Sequence, residues 1–203
     1  MRFPRTRDDE RPFATEGTGA ADVSRLVGGE RLAQLVEGDV TNRFRTRVQE
    51  WARRRGLPVA DSMVVIEMDG VKASVPLYEI TEQTAVVRGV AAQPVTMSLA
   101  IQPASWTQRL RSRFGGGAFA TGDAGFDRRW QATASDVRAA HQLLDEECRE
   151  ALRDVGCWCR ATYADGKIEV RLDHDRLTGG HVLGGVEIAL HLAQTRVQTA
   201  AYR

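Results

Sequence analysis

Apolar and polar positions switch period several times along the chain, and the switches mark its elements. Met63-Val64-Val65-Ile66-Glu67-Met68 is a run of strand formers, Asp69-Gly70 interrupts it, and Val71-Lys72-Ala73-Ser74-Val75 resumes it. The pattern returns in Cys157-Trp158-Cys159-Arg160-Ala161-Thr162-Tyr163, Asp165-Gly166 and Lys167-Ile168-Glu169-Val170-Arg171-Leu172. Asp-Gly between strand formers predicts a type I′ hairpin, because both central residues of that turn need positive φ. Two more strand-like runs cover residues 84–88 and 95–101. In the second, Val95, Met97, Leu99 and Ile101 point one way while Thr96 and Ser98 point the other. With the two strands of the first hairpin these runs make four, which predict an antiparallel meander that Pro103 ends. A later strand is expected around residues 128–132.

Helical spacing appears between these runs. Phe44, Val48 and Trp51 fall at i, i+4 and i+7, which predicts a helix from about residue 39 or 41 to Arg55, closed by Gly56 and Pro58. Shorter helices are expected before it, from Asp22 or Ser24 to Val36, and over residues 105–114 with Trp106 and Leu110 inward. Ser135 is expected to cap a helix over residues 136–155 with the stripe Val137, Leu144, Cys148, Leu152 and Val155. A last helix, about residues 180–199, carries Leu183, Val186, Leu190, Ala193 and Val197 on one side. Ile188 and Leu192 lie on nearly the opposite side. A helix apolar on two sides is either sandwiched in the fold or presents one face to a partner. Ile188 and Leu192 are therefore candidate binding residues.

The resulting fold class is α+β. Residues 1–19 are polar, charged and rich in Gly and Thr, and read as a flexible, disordered tail. Residues 20–114 form a helical opening plus a β-meander lobe. Gly115-Gly116-Gly117 starts a Gly-rich linker over 115–125, and residues 126–203 form a strand-helix-hairpin-helix lobe. Each lobe has its own hairpin and covering helix, so separate sheets are expected.

Composition narrows the functional classes. The 203 residues are 42% hydrophobic and 27% charged, with a net charge of +1, which argues against binding a polyanion through bulk charge. Lys72 and Lys167 are the only lysines, so 26 of the 28 basic residues are arginines. The first residues lack the apolar run of a signal peptide, and no stretch has the length of a membrane span. A cytoplasmic protein is the expectation. Three cysteines make no disulfide framework.

Each constellation with chemical potential has a bland counterpart. The run Gly115 to Gly122 lacks a Gly-Lys-Ser/Thr ending and follows a predicted helix, the reverse of the strand-loop-helix order that cradles phosphate. His141, Cys148, Cys157 and Cys159 are candidate metal ligands, but their spacing fits no zinc pattern, and buried thiols explain them as well. Asp173-His174-Asp175, with His181 nearby, has the residue types for acid–base work, and Asp127 is a further candidate. No Gly-x-Ser-x-Gly nucleophile accompanies them. Asp123 and Asp127 also suit turns. Arg43, Arg47 and Arg54 line one side of the helix near residue 50, where they can meet phosphates, an acidic protein surface or water.

Gly122-Asp123, Phe126-Asp127, the Leu143-Leu144 to Leu152 helix and the Ile168 to Leu172 strand carry a resemblance. So does the order of strands from Val64 to Ile101. They resemble the soluble domain of an uncharacterised bacterial domain-of-unknown-function family, whose members often follow two membrane helices. The resemblance spans about two thirds of the chain and implies an α+β fold. It brings no functional residues, and without membrane helices here it implies no tethering. The reading that follows is a non-enzymatic cytoplasmic binding or assembly module that self-associates, as a homo-oligomer, or engages a protein partner, without a cofactor. The alternatives are a hydrolase using the Asp/His cluster and a nucleic-acid binder using the arginine helix.

Overall fold

The computed structural model describes residues 2–13, 43–81, 83–104, 118–156 and 158–197. Both Asp-Gly pairs turn as their chemistry requires. Asp69 and Gly70 have φ of 52° and 77°, and Asp165 and Gly166 have φ of 50° and 84°. They join β2 (Met63–Met68) to β3 (Val71–Pro76) and β8 (Cys159–Ala164) to β9 (Lys167–Asp173). A third turn with two positive φ, Asp61-Ser62, joins β1 (Val59–Ala60) to β2. The other strands are β4 (Thr84–Val90), β5 (Ser98–Pro103), β6 (Ala118–Phe119) and β7 (Trp130–Ala134).

The class is α+β, with all strands antiparallel in one nine-stranded sheet of order β1-β2-β3-β4-β9-β8-β5-β7-β6. The expected pair of separate sheets is corrected by this order. The second hairpin slots between β4 and β5, so β5 does not continue the first meander. β9 pairs with β4 from Thr84↔Asp173 to Val90↔Lys167, and β8 pairs with β5 from Ser98↔Ala164 to Ile101↔Ala161. The physical reason is edge satisfaction. Two isolated sheets would each leave long rows of N–H and C=O unpaired, whereas the merged sheet ends in the two-residue strands β1 and β6. Of the expected linker, residues 118–125 supply β6 and the turn into a helix, and residues 115–117 lie outside the described residues.

Alternation gives the sheet two unlike faces. Ile66, Ala73, Val87, Val170, Ala161, Ile101 and Ala132 share the apolar face and are buried. Glu67, Lys72, Arg88, Glu169, Arg171, Arg160 and Thr162 share the other. The described helices that contact the sheet do so on the apolar face. α5 (Gly179–Gln194) lies across β3, β4, β9 and β8 with α4 (Glu146–Val155) beside it. Phe126 of α2 (Ala124–Arg129) stacks on Trp130, and His141 of α3 (Val137–Leu143) meets Phe119. The single helix expected over 136–155 is two, because Asp136 and Asp145 each cap a start; Ser135 instead accepts from the Ser98 N–H.

α5 resolves the question of its two apolar sides. Ile188 and Leu192 are 0% and 1% exposed, so neither is a surface binding residue, and the sandwiched alternative is correct. Glycine makes the close fit. A Cβ on Gly184 would lie 2.3 Å from Val155 of α4, and one on Gly185 would crowd Val87 and Leu172 of the sheet.

Helix α1, described over residues 43–54, buries Phe44, Val48 and Trp51 as its stripe predicts. Beside it runs the N-terminal segment. Composition places residues 1–19 in a tail, yet residues 2–13 lie on the fold. Phe13 sits edge-on between Phe44 and Trp51, and its N–H donates to Leu177 O. Residues 14–19 and the expected helices at 22–36 and 105–114 lie outside the described residues.

Candidate functional site

Four neighbouring strands end together on the polar face. The start of β4 brings Thr84, the end of β9 Asp173, the start of β8 Arg160 and the end of β5 Gln102. With Trp158, His174 and Asp175 they line a groove of about 660 Å³. The Asp/His triplet read from the sequence therefore reaches a common groove.

The groups there have defined partners. The Asp173 carboxylate accepts from Arg171 Nε at 3.0 Å. The His174 N–H donates to Gln83 O, while its Nδ1 accepts from the Arg176 N–H at 2.9 Å, which places the proton of a neutral ring on Nε2. Trp158, about half exposed, turns its ring edge-on to His174, with centroids 5.1 Å apart. Behind His174, 4.3 Å away, lies His181, whose Nδ1 accepts from the Thr178 N–H in the capping box that starts α5. Burial, with His174 and Arg5 adding their charge, pushes the His181 pKa down to about 4. No lining side chain has both a nucleophilic atom and a base bonded to it.

Asp127 lies elsewhere, in an adjoining hollow that shares Ala104 with the groove. Its carboxylate accepts from the Thr121 N–H and hydroxyl, the turn role that its neighbours suggest. Asp123 caps α2; the Phe126 N–H, helped by Arg153, holds its carboxyl below the usual range.

Among the described metal candidates no group of three comes together. Cys148 and Cys159 are buried free thiols, and burial pushes both pKa values up, Cys159 to about 12, so neither is poised as the thiolate a metal needs. His141 stands against Phe119 instead. Cys157 lies outside the described residues, among which no metal-binding cluster forms.

Two of the three candidate arginines of α1 are spent on the N-terminal segment. Arg47 donates to Phe13 O at 2.7 Å and Arg54 to Asp8 at 3.0 Å. Arg55 pairs with Asp9 at 3.3 Å and donates to Pro4 O. Asp9 is fully buried and also accepts from the Trp51 indole at 2.8 Å. Burial raises its pKa, but bonds from Thr6 and Trp51 and the charge of Arg55 outweigh that and hold it below the ordinary value. On the other side, Glu187, buried within α5, pairs with Arg5 at 3.0 Å. Sequence reasoning missed these anchors. The available signals were Asp8-Asp9 facing an arginine run and one Glu inside an apolar helix.

No described helix is long and apolar enough to cross a membrane. No family model matches the chain, and no curated protein matches it. Among solved structures the chain is similar to the mycobacterial trehalose monomycolate transport factor A, TtfA, with a TM-score of 0.46 and 12% identity, covering 76% of this chain and 98% of that one. At that level of likeness neither an activity nor a partner transfers.

Proposed function

We propose that the chain is a cytoplasmic, non-enzymatic binding or assembly module that engages a protein partner through the polar face of its sheet. One observation carries this reading: the described helices that contact the sheet lie on its apolar face, while the opposite face carries none across β2 to β7. Antiparallel sheets tolerate water on one side, so a face that no described helix covers can be stable and still meet a partner. Its charges are arranged in ladders. Lys72 meets Glu67, Arg88 grips Glu79 through two 2.8 Å bonds and reaches Glu169, and Arg171 holds Asp173. Ordered charges favour specificity over bulk attraction. Beside them Ser98, Ala100, Thr133 and Thr162 leave a shallow hollow of small side chains. Self-association through Ile188 and Leu192 is withdrawn, since both are buried.

The hydrolase alternative keeps one favourable observation, the meeting of Asp173, His174 and Asp175 at a groove. It ranks lower because Asp173 is committed to Arg171 and His181 to the helix cap. Nucleic-acid binding ranks lower still, because Arg47 and Arg54 hold the N-terminal segment.

A photo-cross-linking residue placed at Thr162, on the polar face, and at Glu146, exposed on the helical side, tests the proposal in cells. Discrete adducts from position 162 alone are the expected result. Equal adducts from both positions, or none from 162, refute it.

A further inference from the structure

We propose that the groove at the end of the polar face binds a small organic anion, with Arg160 holding its phosphate or carboxylate and Trp158 carrying the ring that bears it. Arg160 stands directly opposite Arg171 in the β8–β9 ladder. Like charges at opposed positions destabilise a sheet. Arg171 has an answer in Asp173, at 3.0 Å. Arg160 is exposed and makes no hydrogen bond or ion pair among the described residues, so the ladder leaves one guanidinium fork open at the groove. Such a fork matches the two oxygens of a phosphate or carboxylate.

Trp158 supplies the second half of the argument. The other described tryptophans, Trp51 and Trp130, are 1% and 3% exposed, whereas Trp158 is 49% exposed at the mouth of the same groove. His174 packs against it in a T-shaped contact, so the indole is held at the groove while about half of its surface stays open to a stacking ligand. The two parts suit one ligand because Arg160 in β8 and Trp158, just before that strand, both line the groove. The volume, about 660 Å³, lies in the range of small-ligand sites. The amides of Gln83 and Gln102 and the carboxylate of Asp175 complete the lining with acceptors and donors for hydroxyl or ring-nitrogen groups. Asp175 also disfavours a polyanion. The chemistry that fits is one anionic group on a polar ring, which both a sugar phosphate and a nucleoside monophosphate possess. This site is independent of the protein-partner proposal: either can fail while the other stands.

The test uses the indole N–H signals of the whole chain in NMR, with Trp158 assigned by Trp158→Phe. The probes are adenosine monophosphate, glucose 6-phosphate, adenosine and inorganic phosphate. The expected result is a saturable shift of the Trp158 signal with at least one phosphorylated ring, and a loss of affinity of about tenfold or more in Arg160→Gln. Adenosine should bind equally to both proteins. A response to adenosine monophosphate alone assigns a nucleotide, and one to glucose 6-phosphate alone a sugar phosphate; each supports the site. Arg160→Gln relieves the Arg160–Arg171 opposition, so its thermal midpoint should not fall, which separates lost binding from lost folding. No shift at about 10 mM of either phosphorylated ring overturns the proposal. So does equal affinity in Arg160→Gln, or inorganic phosphate binding as tightly as the phosphorylated rings.

Discussion

Replacing Asp9 with Asn keeps the side chain's shape and removes its charge and one acceptor oxygen. One oxygen of Asp9 accepts from the Trp51 indole at 2.8 Å and faces Arg55 at 3.3 Å; the other accepts from the Thr6 N–H at 2.7 Å and the Thr6 hydroxyl at 2.9 Å. An Asn must point its NH2 at one of these donor pairs. Two charge-assisted bonds at about 1.5–3 kcal/mol each are lost or weakened, so the local cost is about 3–5 kcal/mol. The measured loss has a ceiling, because the segment of residues 2–13 can detach while the sheet stays folded. Its own docking rests on those bonds and on burying Phe13, worth roughly 1.5–3 kcal/mol. A drop of about 2–3 kcal/mol in urea unfolding is therefore expected, with m slightly lower as the segment detaches. Trypsin should cut after Arg5 or Arg7 about 30- to 160-fold faster, in proportion to the open population. If both the midpoint and the cleavage rate match the parent, the segment is not held by Asp9 and the reasoning is wrong.

Three further outcomes follow from the same contacts. His181 titrates near 4 when folded and near 6.5 when free, so between these values the unfolded chain binds the extra proton; stability should fall as pH drops from about 6.5 to about 4, by about 1–2 kcal/mol after allowing for the ring's partial exposure, and His181→Asn should flatten that slope. Gly184→Ala drives a methyl into Val155 and should cost about 1–3 kcal/mol in urea unfolding, recovered in part by adding Val155→Ala; purely additive changes would contradict the close contact. Cys148 and Cys159 should resist a maleimide in the native protein and react on unfolding, read by mass spectrometry at each site; native labelling of either would contradict its burial.

What the sequence made legible was local. Asp69-Gly70 and Asp165-Gly166 announced their hairpins because the turn needs residues that tolerate positive φ. Phe44, Val48 and Trp51 announced a helix by spacing. Strand order was not legible, because β4 and β5 are neighbours in sequence and alternation does not say that a hairpin some 70 residues later will separate them. The N-terminal segment was hidden for another reason: composition weighs apolar area, whereas Arg5, Asp8 and Asp9 dock through ion pairs to Glu187, Arg54 and Arg55. In α5, Gly184 and Gly185 held the clue that its second apolar side meets a close neighbour. At the groove, Asp173, His174 and Asp175 were visible as a cluster. Trp158 and Arg160 were not, since a strand's polar face looks the same whether water or a ligand covers it.

The measurement that bears most directly on the binding proposal repeats the Thr162 cross-linking in a chain carrying Arg88→Glu and Arg171→Glu. Both positions lie on the polar face, and the cores beneath them, Val87, Val170 and Leu172, are untouched. The account predicts that the adducts disappear while circular dichroism stays close to the parent; the urea midpoint falls, because Arg88→Glu sets a carboxylate opposite Glu169 and beside Glu79. Adducts that persist at full yield in the folded double variant would contradict it.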